Sequence, residues 1–266
     1  MTAKQTEKRF KKGGKTKSVS AVSPVISTII ISSTLLIILV IASFVSTNIL
    51  ELRLADTEFE QAKTNMLLLN EVIQNVALRQ GAVSSIRFSQ RSGGVGIYES
   101  AEKINITTSQ GSNLYPFNSN DSFYIIKYRG GSGVSVAETN LTGSSSLIVS
   151  MSDSLGYVRV EIDNGAWIIL DYLRVRVVTN TILRVGSTKY NLTEIFIIRL
   201  QLGPTSGSGT VTVKVQNMGF RTETYCLTND VILYIRVGDK SEELVLTGSL
   251  TPVVRITEVI IRISIT

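Results

Sequence analysis

Between Lys17 and Glu51 the chain carries no charged residue, and the middle of that stretch, Val25 to Val45, reads VISTIIISSTLLIILVIASFV. A helix of about 20 such residues crosses the ~30 Å hydrocarbon layer of a bilayer. Lipid offers no partner to a free amide or carbonyl, so the segment must be helical despite its many β-branched side chains. Ser23 and Pro24 suit its start. A serine N-cap accepts a bond from an orphan amide, and proline at the first helical position has no amide to orphan.

The charge distribution gives this span a direction. Lys4, Lys8, Arg9, Lys11, Lys12, Lys15 and Lys17 stand against Glu7 alone, a surplus of six that equals the net charge of +6 for all 266 residues. The basic character therefore belongs to the N-terminal tip, and no basic face interleaved with aromatics follows it, which argues against nucleic-acid binding. Lysines beside a span stay on the cytoplasmic side. The predicted topology is single-pass, with the N-terminus inside and everything after the span outside.

Beyond the span, apolar residues recur at Leu52, Ala55, Phe59, Ala62, Met66, Leu69, Ile73 and Val76, in steps of 3, 4, 3, 4, 3, 4 and 3. A period of 3.5 residues marks a helical stripe that wants a partner, either parallel copies of itself or another surface of the same chain. Leu67, Leu68 and Val72 widen the stripe enough to face two neighbours. Gly81 supplies a stop. One helix from Pro24 to Gln80 would be about 85 Å long at about 1.5 Å per residue.

From Val83 onward the pattern changes to short β-branched and aromatic runs divided by Gly, Ser and Asn. In TVTVKVQ, Val211, Val213 and Val215 alternate with polar residues, as do Val158, Val160 and Ile162 in YVRVEI. Period two with one wet face predicts antiparallel sheets packed on one side, hence a β-sandwich head. Trp167 and Tyr172 read as core aromatics. The breaks GGSG (130–133), GSSS (143–146) and GPTSGSG (203–209) are short enough for hairpin loops, with a second β-domain after 203–209 as the alternative. The fold class is thus α+β, organised as a basic leader (1–18), an apolar helix (19–50), an amphipathic stalk (51–80) and a β-domain (83–266).

Composition narrows the chemistry. Histidine is absent and Cys226 is the sole cysteine, which excludes a Cys/His zinc site, Ser–His–Asp or Cys–His catalysis and an internal disulfide. The glycines of RSGGVG (91–96) and RGGSG (129–133) lack the P-loop pattern and read as turns. Asp153, Glu161, Asp163 and Asp171 are scattered; pairs such as Glu161 and Asp163 would share a sheet face, but nothing else converges there. No catalytic, cofactor or metal site is expected. Four N-glycosylation sequons begin at Asn105, Asn120, Asn140 and Asn191, all on the predicted outer side of the span.

The segment Lys17-Ser-Val-Ser-Ala-Val-Ser-Pro-Val-Ile-Ser-Thr-Ile resembles the class III signal of archaeal type IV pilins and archaellins. The resemblance covers residues 1 to about 50. It implies a basic leader cut on the cytoplasmic side by a prepilin-type peptidase, helices that bundle as a filament core, and β-sandwich heads outside. Cutting before Val19 places Lys17 and Ser18 as the family prefers but leaves further residues ahead of Ser-Pro-Val. Cutting between Ala21 and Val22 gives the more familiar start but puts Ser20 where a base is expected. An uncut anchor is a further alternative, as is signal-peptidase cleavage near Val40-Ile-Ala42.

Two functional expectations follow. One is a filament subunit whose partners are itself or related pilins, membrane lipid and the peptidase. The other is a permanently anchored surface module that binds or spaces without polymerising.

Overall fold

The structure is a computed structural model describing residues 24–227, 230–247 and 250–266. The basic leader, Ser23 and the cleavage positions Lys17, Ser18, Val19, Ala21 and Val22 lie outside the described residues. The chain divides into two compact units, Met1–Ile49 and Leu50–Thr266.

One helix, α1 (Pro24–Ala77), runs through the apolar segment and the stripe. It ends three residues before Gln80, and a buried side chain from a distant strand accounts for the stop. Asn217 donates its amide to the carbonyls of Val76 and Ala77 at 3.1 and 3.3 Å. Those are two of the carbonyls that a helix end leaves unpaired. Gly81 then reverses the chain at φ 74°, and its amide donates to the Asn217 carbonyl at 3.1 Å.

Three sheets follow. The six-stranded sheet runs β1 (Val83–Gln90), β12 (Gly209–Cys226), β15 (Thr251–Ile265), β11 (Thr188–Thr205), β10 (Val175–Val185) and β7 (Ile148–Val149). The five-stranded sheet runs β2 (Gly94–Glu99), β5 (Tyr124–Arg129), β9 (Ala166–Asp171), β8 (Tyr157–Ile162) and β6 (Thr139–Thr142). The four-stranded sheet runs β14 (Lys240–Leu246), β13 (Val231–Val237), β3 (Ile104–Thr108) and β4 (Asn113–Tyr115). The architecture is α+β, a long apolar helix followed by a mostly antiparallel β-rich region.

Pairing is not antiparallel throughout. β11 and β15 run parallel from Tyr190 opposite Thr251 to Thr205 opposite Ile265, and β7 runs parallel to β10. β11 also buries both its faces: Ile195 and Ile197 enter one core, Ile198 and Leu200 the other. A strand covered on both sides is where parallel pairing belongs.

The first core joins α1 to the inner faces of the six- and five-stranded sheets, and the valines at 211, 213, 215, 158 and 160 all lie in it. Ile162, at the end of β8, is exposed instead. The second core lies between the opposite face of the six-stranded sheet and the four-stranded sheet.

The glycine-serine breaks are not hairpins. Residues 130–133 leave β5 towards β6, which is not its neighbour, and 143–146 connect strands of different sheets. Residues 203–209 carry the chain from β11 to β12, between which β15 inserts. Strands on both sides of that break therefore share one sheet, and Leu50–Thr266 forms one unit. Composition marked where the chain turns, but at none of these three breaks do the strands on either side pair with each other.

Candidate functional site

The two stretches of α1 meet different surroundings. From Val25 to Ile49 the large apolar side chains are 48 to 69% exposed. Several hydroxyls here bond inside the helix: Thr28 donates to the Val25 carbonyl at 2.9 Å, and Ser33 and Thr34 donate to the Ile30 carbonyl at 2.9 and 2.8 Å. Hydroxyls bonded back to their own backbone add no unmet donor, so the surface stays compatible with lipid or with other apolar helices. This is the one helix, among the described residues, long and apolar enough to cross a membrane.

From Ala55 the stripe is covered. Ala55, Phe59, Ala62, Met66, Leu69, Ile73 and Val76 are buried, and all of them from Phe59 onward lie in the first core; Leu52 is half exposed. Of the two partners the heptad spacing left open, the stripe meets another surface of the same chain. From Phe59 onward the side chains assigned to helix–helix packing share a core with the sheets. Leu67 and Val72 pack against the same core while Leu68 stays exposed. The extra width of the stripe matches the two sheets that α1 contacts.

Among the polar bonds that hold this stretch, three are centred on Glu58, Asn70 and Asn217, and the sequence reading missed them. Glu58 accepts bonds from the amides of Arg91 and Ser92, both at 2.9 Å, from the Ser92 hydroxyl and from Tyr128 Oη at 3.2 Å. Burial pushes the Glu58 carboxyl up, but the bonds from Ser92 and Arg91 outweigh it and hold the pKa below the usual carboxylate range. Burial of the ring, and then the same carboxylate, push the Tyr128 phenol up. Asn70 is buried, with its Oδ1 accepting from Tyr172 Oη at 2.7 Å and its amide donating to Ser154 Oγ at 2.9 Å. Gly156 passes so close to Asn70 Oδ1 and to the Tyr172 ring that a Cβ would collide with both. Asn217 is the third, at the helix end. A glutamate or asparagine inside a helical repeat looks like solvated surface, so only the distant partners reveal these contacts.

Tyr172 is a core aromatic, as read from sequence, whereas Trp167 is half buried on the outward face of its sheet. There it packs edge-on against Tyr98 with centroids 6.2 Å apart, beneath Lys127 and Arg129. The correction follows from alternation: Ala166, Ile168 and Leu170 point inward, so Trp167 points out.

The four acids do not gather. Asp163 lies in the turn beyond β8, where its carbonyl accepts from Trp167 Nε1 at 2.8 Å, so it shares no sheet face with Glu161. Glu161 and Asp171 each pair with Arg159, and Asp153 accepts from the Ser150 hydroxyl. Among the described residues no group of three or more acids and cysteines is placed to hold a metal ion. Of the sequon asparagines, Asn105, Asn120 and Asn140 are exposed, while Asn191 is half buried in β11 with Thr193 of its sequon fully buried. No family model, curated protein or solved structure matches the chain.

Proposed function

We propose that this chain is a structural subunit of an extracellular, type IV pilus-like filament that polymerises through its N-terminal helix. The observation that carries the reading is the apolar surface of α1 from Val25 to Ile49, exposed on every side and free of charge. Such a surface is stable only in lipid or against other apolar helices, and a pilin occupies the first before assembly and the second after it. The signal-like segment from Lys17 to Ile29 supports the same reading and supplies the site for a prepilin-type peptidase. On this reading the β-rich region is an extracellular, sandwich-like head, glycosylated at exposed sequons and serving surface adhesion.

Mass determination of the mature N-terminus in filaments sheared from cells tests it. A terminus at Val19 or Val22 is expected. An intact Met1, or absence of the chain from the filament fraction, would defeat it. A second reading, a permanently anchored binding module, is favoured by a polar groove in the β-rich region described below. Deleting residues 1–18 separates the two: filament assembly is lost under the first, and surface display continues unchanged under the second.

A further inference from the structure

The outward face of the five-stranded sheet borders a groove of about 1020 Å³. Its floor is an arginine–tyrosine–arginine stack, with the guanidinium carbons of Arg159 and Arg174 at 4.9 and 4.5 Å from the Tyr157 ring centroid. Asp171 joins the two arginines, pairing with Arg159 and lying 3.7 Å from Arg174 Nη2. Tyr157 Oη donates to Asn140 Oδ1 at 2.6 Å. These bonds fix the stack rigidly.

One donor is left over. Arg174 is 4% exposed and gives Nη1 to the Ser144 carbonyl, yet its buried Nε has no hydrogen-bond partner. A buried donor without an acceptor is costly, and native structures keep few of them. Here it belongs to a side chain that lines the groove but lies beneath its surface, out of a ligand's direct reach unless the floor shifts.

The lining defines the class of ligand. Its four cations, Lys127, Arg159, Arg174 and Lys240, face five carboxylates, so the groove favours neither a polyanion nor a polycation. An apolar ligand would strip water from these charges and return nothing. Hydroxyl groups both donate and accept, which suits ammonium and guanidinium donors alternating with carboxylate acceptors. The volume lies at the top of the roughly 300–1,000 Å³ spanned by small-molecule sites, room for several sugar rings. We propose that this groove binds a neutral oligosaccharide. The inference does not depend on whether α1 polymerises.

The saccharide has two conceivable sources, another surface or a glycan on Asn140, which itself lines the groove. The test uses the full chain in a sugar-free zwitterionic detergent, applied to immobilised neutral hexose and N-acetylhexosamine oligomers beside sulfated ones. Retention on neutral oligomers is expected to survive about 0.5 M salt, which screens exposed ionic contacts. The rim variant Lys127→Ala/Glu138→Ala should weaken it about tenfold, the effect of roughly one polar contact, while the thermal unfolding midpoint falls by about 4 °C at most. Thr142→Ala removes the sequon but keeps Asn140. Stronger retention in that variant means that the chain's own glycan occupies the groove, and equal retention assigns the saccharide to another surface. The proposal falls if no neutral oligomer is retained, if only sulfated oligomers bind and salt releases them, or if the rim variant binds like the parent.

Discussion

Up to Ile49, α1 is apolar on every side and exposed; from Ala55 it is apolar along one stripe, with charged residues elsewhere, and the stripe is buried. The second stretch is less apolar, with Ile73 its sole isoleucine, but content alone does not tell its buried side from its wet one. Arrangement does. A one-sided stripe can be covered by sheets on that side while Glu51, Arg53, Asp56 and Glu60 keep the other side in water. An all-round apolar surface has no side left for water, so lipid or other helices must complete it.

Substitutions can break or sharpen this contrast. The largest effect is expected from Leu69→Ala, which opens a cavity in the first core and should lower unfolding stability by about 2–5 kcal/mol in chemical denaturation. If Leu69→Ala left the denaturation midpoint unchanged, the covered stretch would not be part of the β-rich core. Gly156→Ala comes next, at about 1–3 kcal/mol, because the new methyl group collides with Asn70 and Tyr172, neither of which is free to move.

Glu58→Gln should cost about 1 kcal/mol near neutral pH, since the neutral amide accepts weaker bonds from the 91–92 turn. Its acid dependence is the sharper readout. A carboxyl whose folded pKa lies below its unfolded value contributes stability above the unfolded pKa and loses it as pH falls through the folded one. For Glu58 that loss sets in below the ordinary value of 4.5. Glu242 behaves alike: burial raises its pKa, but the Leu147 and Ile148 amides and the Ser146 hydroxyl bring it below that value. Stability measured across acidic pH should therefore fall less steeply in Glu58→Gln, and less steeply again in the double variant with Glu242→Gln. The smallest effect belongs to Leu36→Ala, within about 0.5 kcal/mol for unfolding of the β-rich region. Leu36 is 65% exposed, and on the proposed filament reading its replacement should show instead in the yield of sheared filaments.

Local pattern made much of this legible. The apolar helix, the spacing from Ala55 to Val76 and the alternating valines of β8 and β12 depend on neighbours within one or two turns or along one strand. What escaped depends on residues far apart. Arg199 and Glu258 interrupt apolar strands and look like outward charges, yet they meet in the second core with Nε and Oε1 2.6 Å apart and Tyr115 Oη 2.8 Å from the same carboxylate. The parallel match of β11 to β15 carries no short-range signature, because either orientation buries similar runs. The groove was invisible for the same reason. Arg159 lies in β8 and Arg174 in the bend before β10, and of the four acids noted from sequence Glu161 and Asp171 converge only through Arg159.

The position of β15 has a consequence for biogenesis. It lies between β11 and β12 at the heart of the largest sheet and follows every other strand in chain order. During synthesis the stripe from Phe59 to Val76 emerges long before the strand that completes its cover. The nascent polypeptide thus carries an uncovered greasy ridge until β15 arrives, and swift folding at that point limits clumping with its siblings.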